Sequence, residues 1–251
     1  MATVRQFGFI SLGAMGMGMA QSLVRGGHAV TAFDLRAEAR ESFAKAGGTA
    51  VDSPAGAAEG AALLLVAVAT REQVQAVLFG EDGALAALPA GAPVAVHATV
   101  APDDMRALAS ALAERGHPLI DAPMSGGAAR AAAGELVLMV SGPAEALEIA
   151  EPAFDAMALT VHRLGDAAGI ASTVKMVNQL LAGVHIATAA EAVALGVRAG
   201  ADPQALYDII SGAAGGSWMF ANRVPHMLAG DYTPLSAVEI FVKDLGIVLD
   251  Q

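Results

Sequence analysis

Short apolar segments alternate with amphipathic segments along the chain up to about residue 164. An apolar run bounded by glycine, proline or polar residues is typical of a strand, and the stretches between such runs are typical of helices. This alternation predicts an α/β fold, a Rossmann-type doubly wound and mostly parallel sheet with helices on both faces. The predicted strands are Gln6 to Ser11, Ala29 to Asp34, Thr49 to Val51, Leu63 to Val68, Val94 to Ala98, Leu119 to Asp121 and Leu136 to Val140.

The longest apolar run, from Ala61 to Ala69, contains no polar position that would face water. It is about half as long as a membrane-spanning helix requires. Parallel strands that helices cover on both faces are apolar throughout, and a strand of that kind explains the run better. We therefore expect a buried parallel strand in this segment.

Only helical periodicity remains after residue 164. The sequence therefore predicts an α/β domain over residues 1–164 and an all-helical domain over residues 165–251, joined by a long helix. The last predicted helix has no stop signal before Gln251, so we expect the complete protein to continue beyond this residue. The predicted helices of this part are Ala167 to Ala199, Gln204 to Ile210, Ser217 to Leu228 and Leu235 to Leu249.

Composition narrows the class of protein. Of the 251 residues 55% are hydrophobic and 16% are charged, which excludes a disordered chain. The net charge of −11 argues against nucleic acid and anionic membranes as partners. The chain has no cysteine, and its histidines are scattered, so we expect neither a disulfide scaffold nor a metal site. With no targeting segment visible, we expect a cytoplasmic protein.

The segment Ser11-Leu12-Gly13-Ala14-Met15-Gly16 follows the first predicted strand and opens a helix predicted over Met15 to Arg25. It is the G-x-G-x-x-G dinucleotide motif with serine in place of the first glycine. Gly13 allows a pyrophosphate to approach the backbone, and Gly16 allows helix and strand to pack closely. Because a side chain penalises the left-handed conformation, we expect Ser11 to keep a negative φ.

Asp34 ends the second predicted strand, 18 residues after Gly16. An acidic residue at this distance binds the adenosine ribose hydroxyls in dinucleotide-binding domains. A carboxylate here would also repel a 2′-phosphate, so the sequence favours NAD over NADP. Arg36, two residues further on, could weaken that preference.

Ser125, Gly126 and Gly127 follow a proline and lack bulk. Together they offer a hydroxyl and unobstructed backbone N–H groups, a suitable cradle for a carboxylate, although a plain turn has the same composition.

Lys175 and Asn178 lie three residues apart near the start of the long predicted helix, so they share a face and can point at one ligand. Apolar neighbours favour a partly desolvated lysine, whose pKa falls toward the range of a general base. Most lysines on helices are nevertheless solvated side chains.

Taken together, these segments resemble the β-hydroxyacid dehydrogenases, the family that includes 3-hydroxyisobutyrate dehydrogenase and tartronate semialdehyde reductase. The resemblance runs through the chain in order and includes, besides the segments above, Thr99 and the Lys243-Asp244-Leu245 segment. The chain departs from the family's pattern at Ser11, at Ala98 where serine is frequent, and at Ala171 and Gln179 where glycine and asparagine are frequent.

The resemblance implies an NAD-dependent dehydrogenase that acts on the CH–OH group of a small hydroxy-carboxylate, with Lys175 as the catalytic acid/base. It also implies a homodimer or homotetramer. The residues implied to bind the substrate are Ser125, Gly126, Gly127 and Asn178, and those implied to bind NAD are Ser11, Leu12, Gly13, Ala14, Met15, Gly16, Asp34, Thr99 and Lys243.

Other activities stay open at this point. The same residues running in reverse would reduce a semialdehyde. Imine reduction is disfavoured, because family relatives of that type usually lack the lysine at Lys175. A non-catalytic NAD-binding sensor or a truncated pseudoenzyme conflicts with the presence of Lys175, Asn178 and Lys243, but the abrupt end at Gln251 keeps it open.

Overall fold

The computed structural model describes residues 5–231, 233 and 239–251, and its first part is built on a six-stranded sheet. The strand order is β3-β2-β1-β4-β5-β6, and all neighbouring pairs are parallel. This order is that of the Rossmann fold, so the predicted fold class is confirmed. The strands are β1 (Gln6–Ile10), β2 (Ala29–Phe33), β3 (Thr49–Val51), β4 (Leu63–Val66), β5 (Val94–Val96) and β6 (Leu119–Asp121).

Helices cover both faces of this sheet. Strand β4 shows it most clearly, because all four of its residues are completely buried. Leu63 and Leu65 belong to one hydrophobic core, and Leu64 and Val66 belong to a second core on the opposite face. The predicted buried strand is thus confirmed. The helices of this part are α1 (Gly16–Arg25), α2 (Ala37–Lys45), α3 (Pro54–Ala58), α4 (Arg71–Phe79) and α5 (Pro102–Ala113), with a short 3-10 helix at Ala84–Ala86.

A second, smaller sheet follows with the order β7-β8-β9. Its first pair is antiparallel and its second pair is parallel. Only β8 was predicted from the sequence, since β7 has two residues and α6 is an alanine-rich segment without hydrophobic periodicity. The elements are β7 (Met124–Ser125), α6 (Gly127–Ala133), β8 (Leu136–Val140), α7 (Ala144–Met157) and β9 (Ala158–Arg163).

The remainder of the described chain is helical, as predicted. The helix predicted over Leu235 to Leu249 begins at Glu239 in the structure, and residues 235–238 lie outside the described residues. Phe220 and Val224 form a small core with Ala189 and Val193. The helices are α8 (Ile170–Arg198), α9 (Pro203–Ile210), α10 (Trp218–Ala229) and α11 (Glu239–Leu249).

Contacts divide the chain into two units, residues 1–175 and 176–251. The division falls inside α8, whereas the boundary predicted from the sequence, between residues 164 and 165, lies in the turn before this helix. The helix therefore begins in the first unit and continues into the second.

His97, which follows β5, is a buried histidine with only one satisfied ring nitrogen. Its Nδ1 donates a hydrogen bond to the Ala122 carbonyl oxygen at 2.7 Å, and its Nε2 has no hydrogen-bond partner among the described residues. Burial disfavours the charged imidazole and lowers the pKa of His97 to about 4, although the bond to Ala122 acts in the opposite direction.

We predict that His97 makes the fold sensitive to mild acid. Its folded pKa lies below the unfolded value of 6.5, so its stabilising effect is complete above pH 6.5 and is lost as the pH falls toward 4. Between pH 7 and pH 4.5 this group should lower the free energy of unfolding by roughly 2–3 kcal/mol. Urea unfolding at both pH values should show that His97→Gln removes this part of the loss. Equal losses in the parent and the variant would contradict the prediction.

Candidate active site

The segments that follow the parallel strands all leave from one edge of the sheet, because the strands share a direction. These segments include the loop Ser11–Gly16 after β1, Asp34 after β2, Thr99 after β5, and Ser125 to Gly127 after β6. Ligands of doubly wound sheets bind outside this carboxyl edge. The fold thus brings the site residues predicted in the first unit to one side of the sheet.

Glycine is required at Gly16 for steric reasons. A Cβ atom at this position would lie 1.9 Å from the Ser11 carbonyl oxygen and 3.2 Å from the Phe9 ring. The close approach of α1 to the end of β1 therefore depends on this residue, as the third glycine of the motif requires.

Ser11 has a left-handed backbone, and the expectation of a negative φ for this residue is wrong. Its φ is +80°, and it is the only non-glycine residue with a positive φ in the described part of the chain. Its N–H donates to the Phe33 carbonyl oxygen at 2.8 Å, which ties the turn to β2. The turn thus imposes on a serine the conformation that the first glycine of the motif adopts without strain.

Asp34 is a buried carboxylate that accepts hydrogen bonds from two sides. Oδ2 accepts from the Leu12 N–H at 2.7 Å, and Oδ1 accepts from the Arg36 N–H at 2.9 Å and from the Arg36 guanidinium at 3.1 Å. Burial alone would raise its pKa, but these donors outweigh burial and lower the pKa of Asp34. The group is therefore ionised at neutral pH and holds the glycine loop against β2.

Arg36 is also bound to this loop. Its Nη2 donates to the Leu12 carbonyl oxygen at 3.0 Å, while its Nε contacts Asp34. Leu12 thus bonds to the acid through its N–H and to the arginine through its carbonyl group. The two side chains brace the loop at the ribose end of the expected dinucleotide site.

The Ser125–Gly127 segment has a backbone that strongly favours glycine. Gly126 has φ +139° and Gly127 has φ +75°, both in the left-handed half of the map. A Cβ at Gly127 would meet nothing within 4 Å, so its conformation rather than crowding requires glycine there. Consecutive residues of this kind expose backbone N–H groups, which suits the predicted carboxylate cradle.

Lys175 is 7% exposed, which excludes the ordinary solvated lysine of a helix surface. It lies in the second turn of α8. The start of this helix is held by two side chains that the sequence analysis did not single out. Asp121 accepts hydrogen bonds from the N–H groups of Gly169 and Ser172, and Ser141 Oγ accepts from the Ala171 N–H.

Within the second unit, Asn178 and Lys243 are joined through two buried residues. Asn178 Nδ2 donates to Gln179 Oε1 at 3.0 Å, and Gln179 Nε2 donates to Asp244 Oδ2 at 2.5 Å. Lys243 Nζ lies 2.8 Å from Asp244 Oδ1. Sequence reasoning missed the roles of Gln179 and Asp244. For Gln179 the signal was present, because the fourth residue after Lys175 returns to the same helix face.

The first unit fits a dinucleotide. A Cβ at Gly13 would have only Ser11 Oγ as a neighbour, at 3.6 Å, which leaves open space where a pyrophosphate approaches. No described side chain caps α1, so its first N–H groups remain available for phosphate oxygens. The ionised Asp34 supplies the acceptor for ribose hydroxyls.

Comparison with known protein families agrees with this division. Residues 6–165 match the family described as the NAD binding domain of 6-phosphogluconate dehydrogenase. Residues 169–251 match the family described as NAD-binding of NADP-dependent 3-hydroxyisobutyrate dehydrogenase.

Individual relatives are similar along nearly the whole chain. An L-threonate dehydrogenase of Cupriavidus necator is 58% identical over 246 residues, which are 98% of this chain and 83% of the relative. A 3-hydroxyisobutyrate dehydrogenase of Pseudomonas aeruginosa is 35% identical over 96% of this chain and 83% of the relative. The crystal structure of a 3-hydroxyisobutyrate dehydrogenase from Salmonella typhimurium superposes with a TM-score of 0.91 at 44% identity, over 98% of this chain and 86% of that one.

We predict that Ser11→Gly stabilises the protein. A left-handed conformation costs a residue with a side chain roughly 1–2 kcal/mol, and the larger entropy loss of glycine offsets about half of this gain. The expected increase in melting temperature is about 1–3 °C for a chain of this size. The matched control is Ser42→Gly inside α2, where glycine should lower the melting temperature. A decrease for Ser11→Gly would contradict the strained turn.

Proposed function

Because the chain belongs to the β-hydroxyacid dehydrogenase family, which includes 3-hydroxyisobutyrate dehydrogenase, we propose that it oxidises the 2-hydroxyl group of L-threonate to the 2-oxo acid with NAD. The observation that carries the substrate is the near-full-length identity of 58% to an L-threonate dehydrogenase. The second candidate is 3-hydroxyisobutyrate, supported by the relatives of that name. Reduction of tartronate semialdehyde is a further alternative within the family. A non-catalytic NAD-binding sensor is disfavoured by the buried Lys175.

NAD is the cofactor of the proposed reaction, and when bound it accepts the hydride at its nicotinamide ring. The loop Ser11–Gly16 and the start of α1 bind the pyrophosphate, and Asp34 binds the adenosine ribose. The carboxylate of Asp34 also repels a 2′-phosphate, which supports NAD over NADP. In this proposal Thr99 and Lys243 contribute at the nicotinamide end, as the family resemblance implies.

Lys175 is the general base of the proposed reaction. Its Nζ, in the neutral form, takes the proton of the substrate's 2-hydroxyl group as the carbon loses its hydride. The burial of the lysine supports this role, because exclusion of water protects a proton transfer from competing solvent. In the reverse direction, protonated Nζ donates to the carbonyl oxygen.

The remaining polar residues orient the substrate in this proposal. Ser125, Gly126 and Gly127 bind the carboxylate through the serine hydroxyl and backbone N–H groups, supported by the positive φ of both glycines. Asn178 binds a hydroxyl group of the substrate. Its hydrogen bond to Gln179 restricts the rotation of its amide, which supports an orienting role.

NADH formation by the purified chain tests the proposed reaction. The expected result is a strong preference for L-threonate over 3-hydroxyisobutyrate and D-glycerate, measured as kcat/KM with NAD. Preference for another hydroxy acid would keep the family and refute the substrate. The variant Lys175→Met should bind NAD with unchanged affinity but lose at least about 100-fold in kcat. Its control is Lys45→Met on the exposed side of α2, which should keep full activity. Retained turnover in Lys175→Met would refute the assigned base.

An exposed apolar stripe on α8 supports the homo-oligomer that forms part of this proposal. Ile170, Val174, Val177, Leu181 and Val184 are all exposed, and their spacing of four and three residues places them on one seam of the helix. By length and composition α8 is also apolar enough to cross a membrane. We propose instead that a second copy of the chain covers the stripe in a cytoplasmic dimer or tetramer, because the relatives are dehydrogenases of small metabolites.

Light scattering coupled to size exclusion tests this assembly. The parent should have the mass of a dimer or tetramer, and Leu181→Glu should reduce that mass by placing a charge in the seam. The control is Leu159→Glu, an exposed leucine of β9 outside the seam, which should leave the mass unchanged. A monomeric parent at micromolar concentration would refute the proposed oligomer.

A further inference from the structure

A buried carboxylate connects two segments to which the proposed function assigns substrate chemistry. Asp121 is the last residue of β6, is fully buried, and precedes Ser125 by four residues. Its side chain binds the start of α8. Oδ2 accepts from the N–H groups of Gly169 and Ser172, both at 2.9 Å, and Oδ1 accepts from the Ser172 hydroxyl at 2.8 Å.

Ser141, the residue after β8, completes this attachment. Its Oγ accepts from the Ala171 N–H at 3.2 Å. The backbones of Ser141 and Asp121 exchange two hydrogen bonds of 2.9 Å, so the two side chains are held side by side. The first N–H groups of α8 thus bind side chains that come from the sheets, and the helix is fixed to the sheets at its first turn.

The charge of Asp121 matches the place where it lies. A buried carboxylate is costly unless it is hydrogen-bonded, and the start of a helix offers both N–H donors and a favourable dipole. Burial has the largest effect on this group and raises the pKa of Asp121, while the bonds from Ser172, Gly169 and Ser141 oppose the rise. The ionised form is the one whose two oxygens can accept all three bonds.

We propose that Asp121 is a positioning residue of the dehydrogenase reaction, which fixes the first turn of α8 and thereby the place of Lys175 relative to the Ser125–Gly127 segment. The inference rests on the roles proposed above for these residues. Ser172 lies three residues before Lys175, so the attachment acts within one turn of the base. On the other side, four residues of chain join Asp121 to the carboxylate cradle. One side chain therefore sets both ends of the distance that proton transfer requires.

Asp121→Asn is the main test, because it preserves size but places an amide donor against the N–H donors of α8. The resulting shift of the first turn should lower kcat by about 10- to 100-fold, since displacement of a catalytic group by 1 Å costs on the order of 100-fold. The affinity for NAD should change less than twofold, because the glycine loop and Asp34 are untouched. A cap with a purely structural role would lower the melting temperature and leave kcat of the folded enzyme unchanged.

A second readout does not depend on activity. The chain has three lysines, Lys45, Lys175 and Lys243, so acetylation by acetic anhydride can be followed at each by mass spectrometry. In Asp121→Asn the rate at Lys175 should rise severalfold relative to Lys45, which lies in α2 and serves as the internal reference.

Ser172→Ala removes one of the three bonds to Asp121 and should lower kcat by about threefold, in the same direction as Asp121→Asn. Its matched control is Ser53→Ala, which removes the serine that caps α3 in the same unit and should leave kcat unchanged. If Asp121→Asn does not fold, Ser172→Ala decides by the same measurements. In the Lys175→Met background, Asp121→Asn should cause no further loss of residual turnover, because the two substitutions act through one group.

Reduced kcat with unchanged NAD affinity, faster labelling of Lys175 and a non-additive double variant would support the proposal. A folded Asp121→Asn enzyme with kcat within twofold of the parent would overturn it, as would a parallel loss of NAD affinity or additive losses in the double variant. If the parent oxidises no hydroxy acid, the proposed function fails by itself. Labelling then decides the attachment, which an unchanged rate at Lys175 refutes and a faster rate supports.

Discussion

The common direction of the six strands is the constraint on which the site of the first unit depends. Strand interiors are buried on both faces and have no place for polar groups, as the four fully buried residues of β4 show. Polar side chains can therefore collect only where strands end. Because all six strands end at one edge, Asp34 and Asp121 lie on the same side of the sheet although 87 residues separate them in the chain.

The two helices that carry the proposed chemistry begin in opposite electrostatic states. α1 has no side-chain cap in the described part of the chain, and its positive end remains available to an anionic ligand. α8 has its positive end matched by the carboxylate of Asp121. An anionic substrate or cofactor is thus attracted to the first helix, while the second is reserved for holding Lys175. The same physical property serves binding in one helix and positioning in the other.

The fold could be predicted from the sequence further than the site could. Hydrophobic patterning located the six strands of the main sheet to within two residues at each end, but it missed β7, β9, α6 and α7. The interpretation of Gly183 and Gly196 as weak points of the long helix was wrong in emphasis. Cβ atoms there would lie 3.1 Å from Leu245 and 2.4 Å from Leu206, so glycine permits close helix packing. The contacts of Asp121 and Gln179 join residues 48 to 65 positions apart, and no local pattern records such pairings.

An acidic chain that binds anions must keep its own carboxylates from repelling them, and the three buried aspartates show how this is done. Asp34 is bound to Arg36 and to the glycine loop, Asp121 to the start of α8, and Asp244 to Lys243 and Gln179. Each negative charge is paired with donors that also carry or brace a proposed ligand-binding residue. The net charge of −11 is therefore a poor guide to the local field at the site, because a paired carboxylate contributes order there and little free charge.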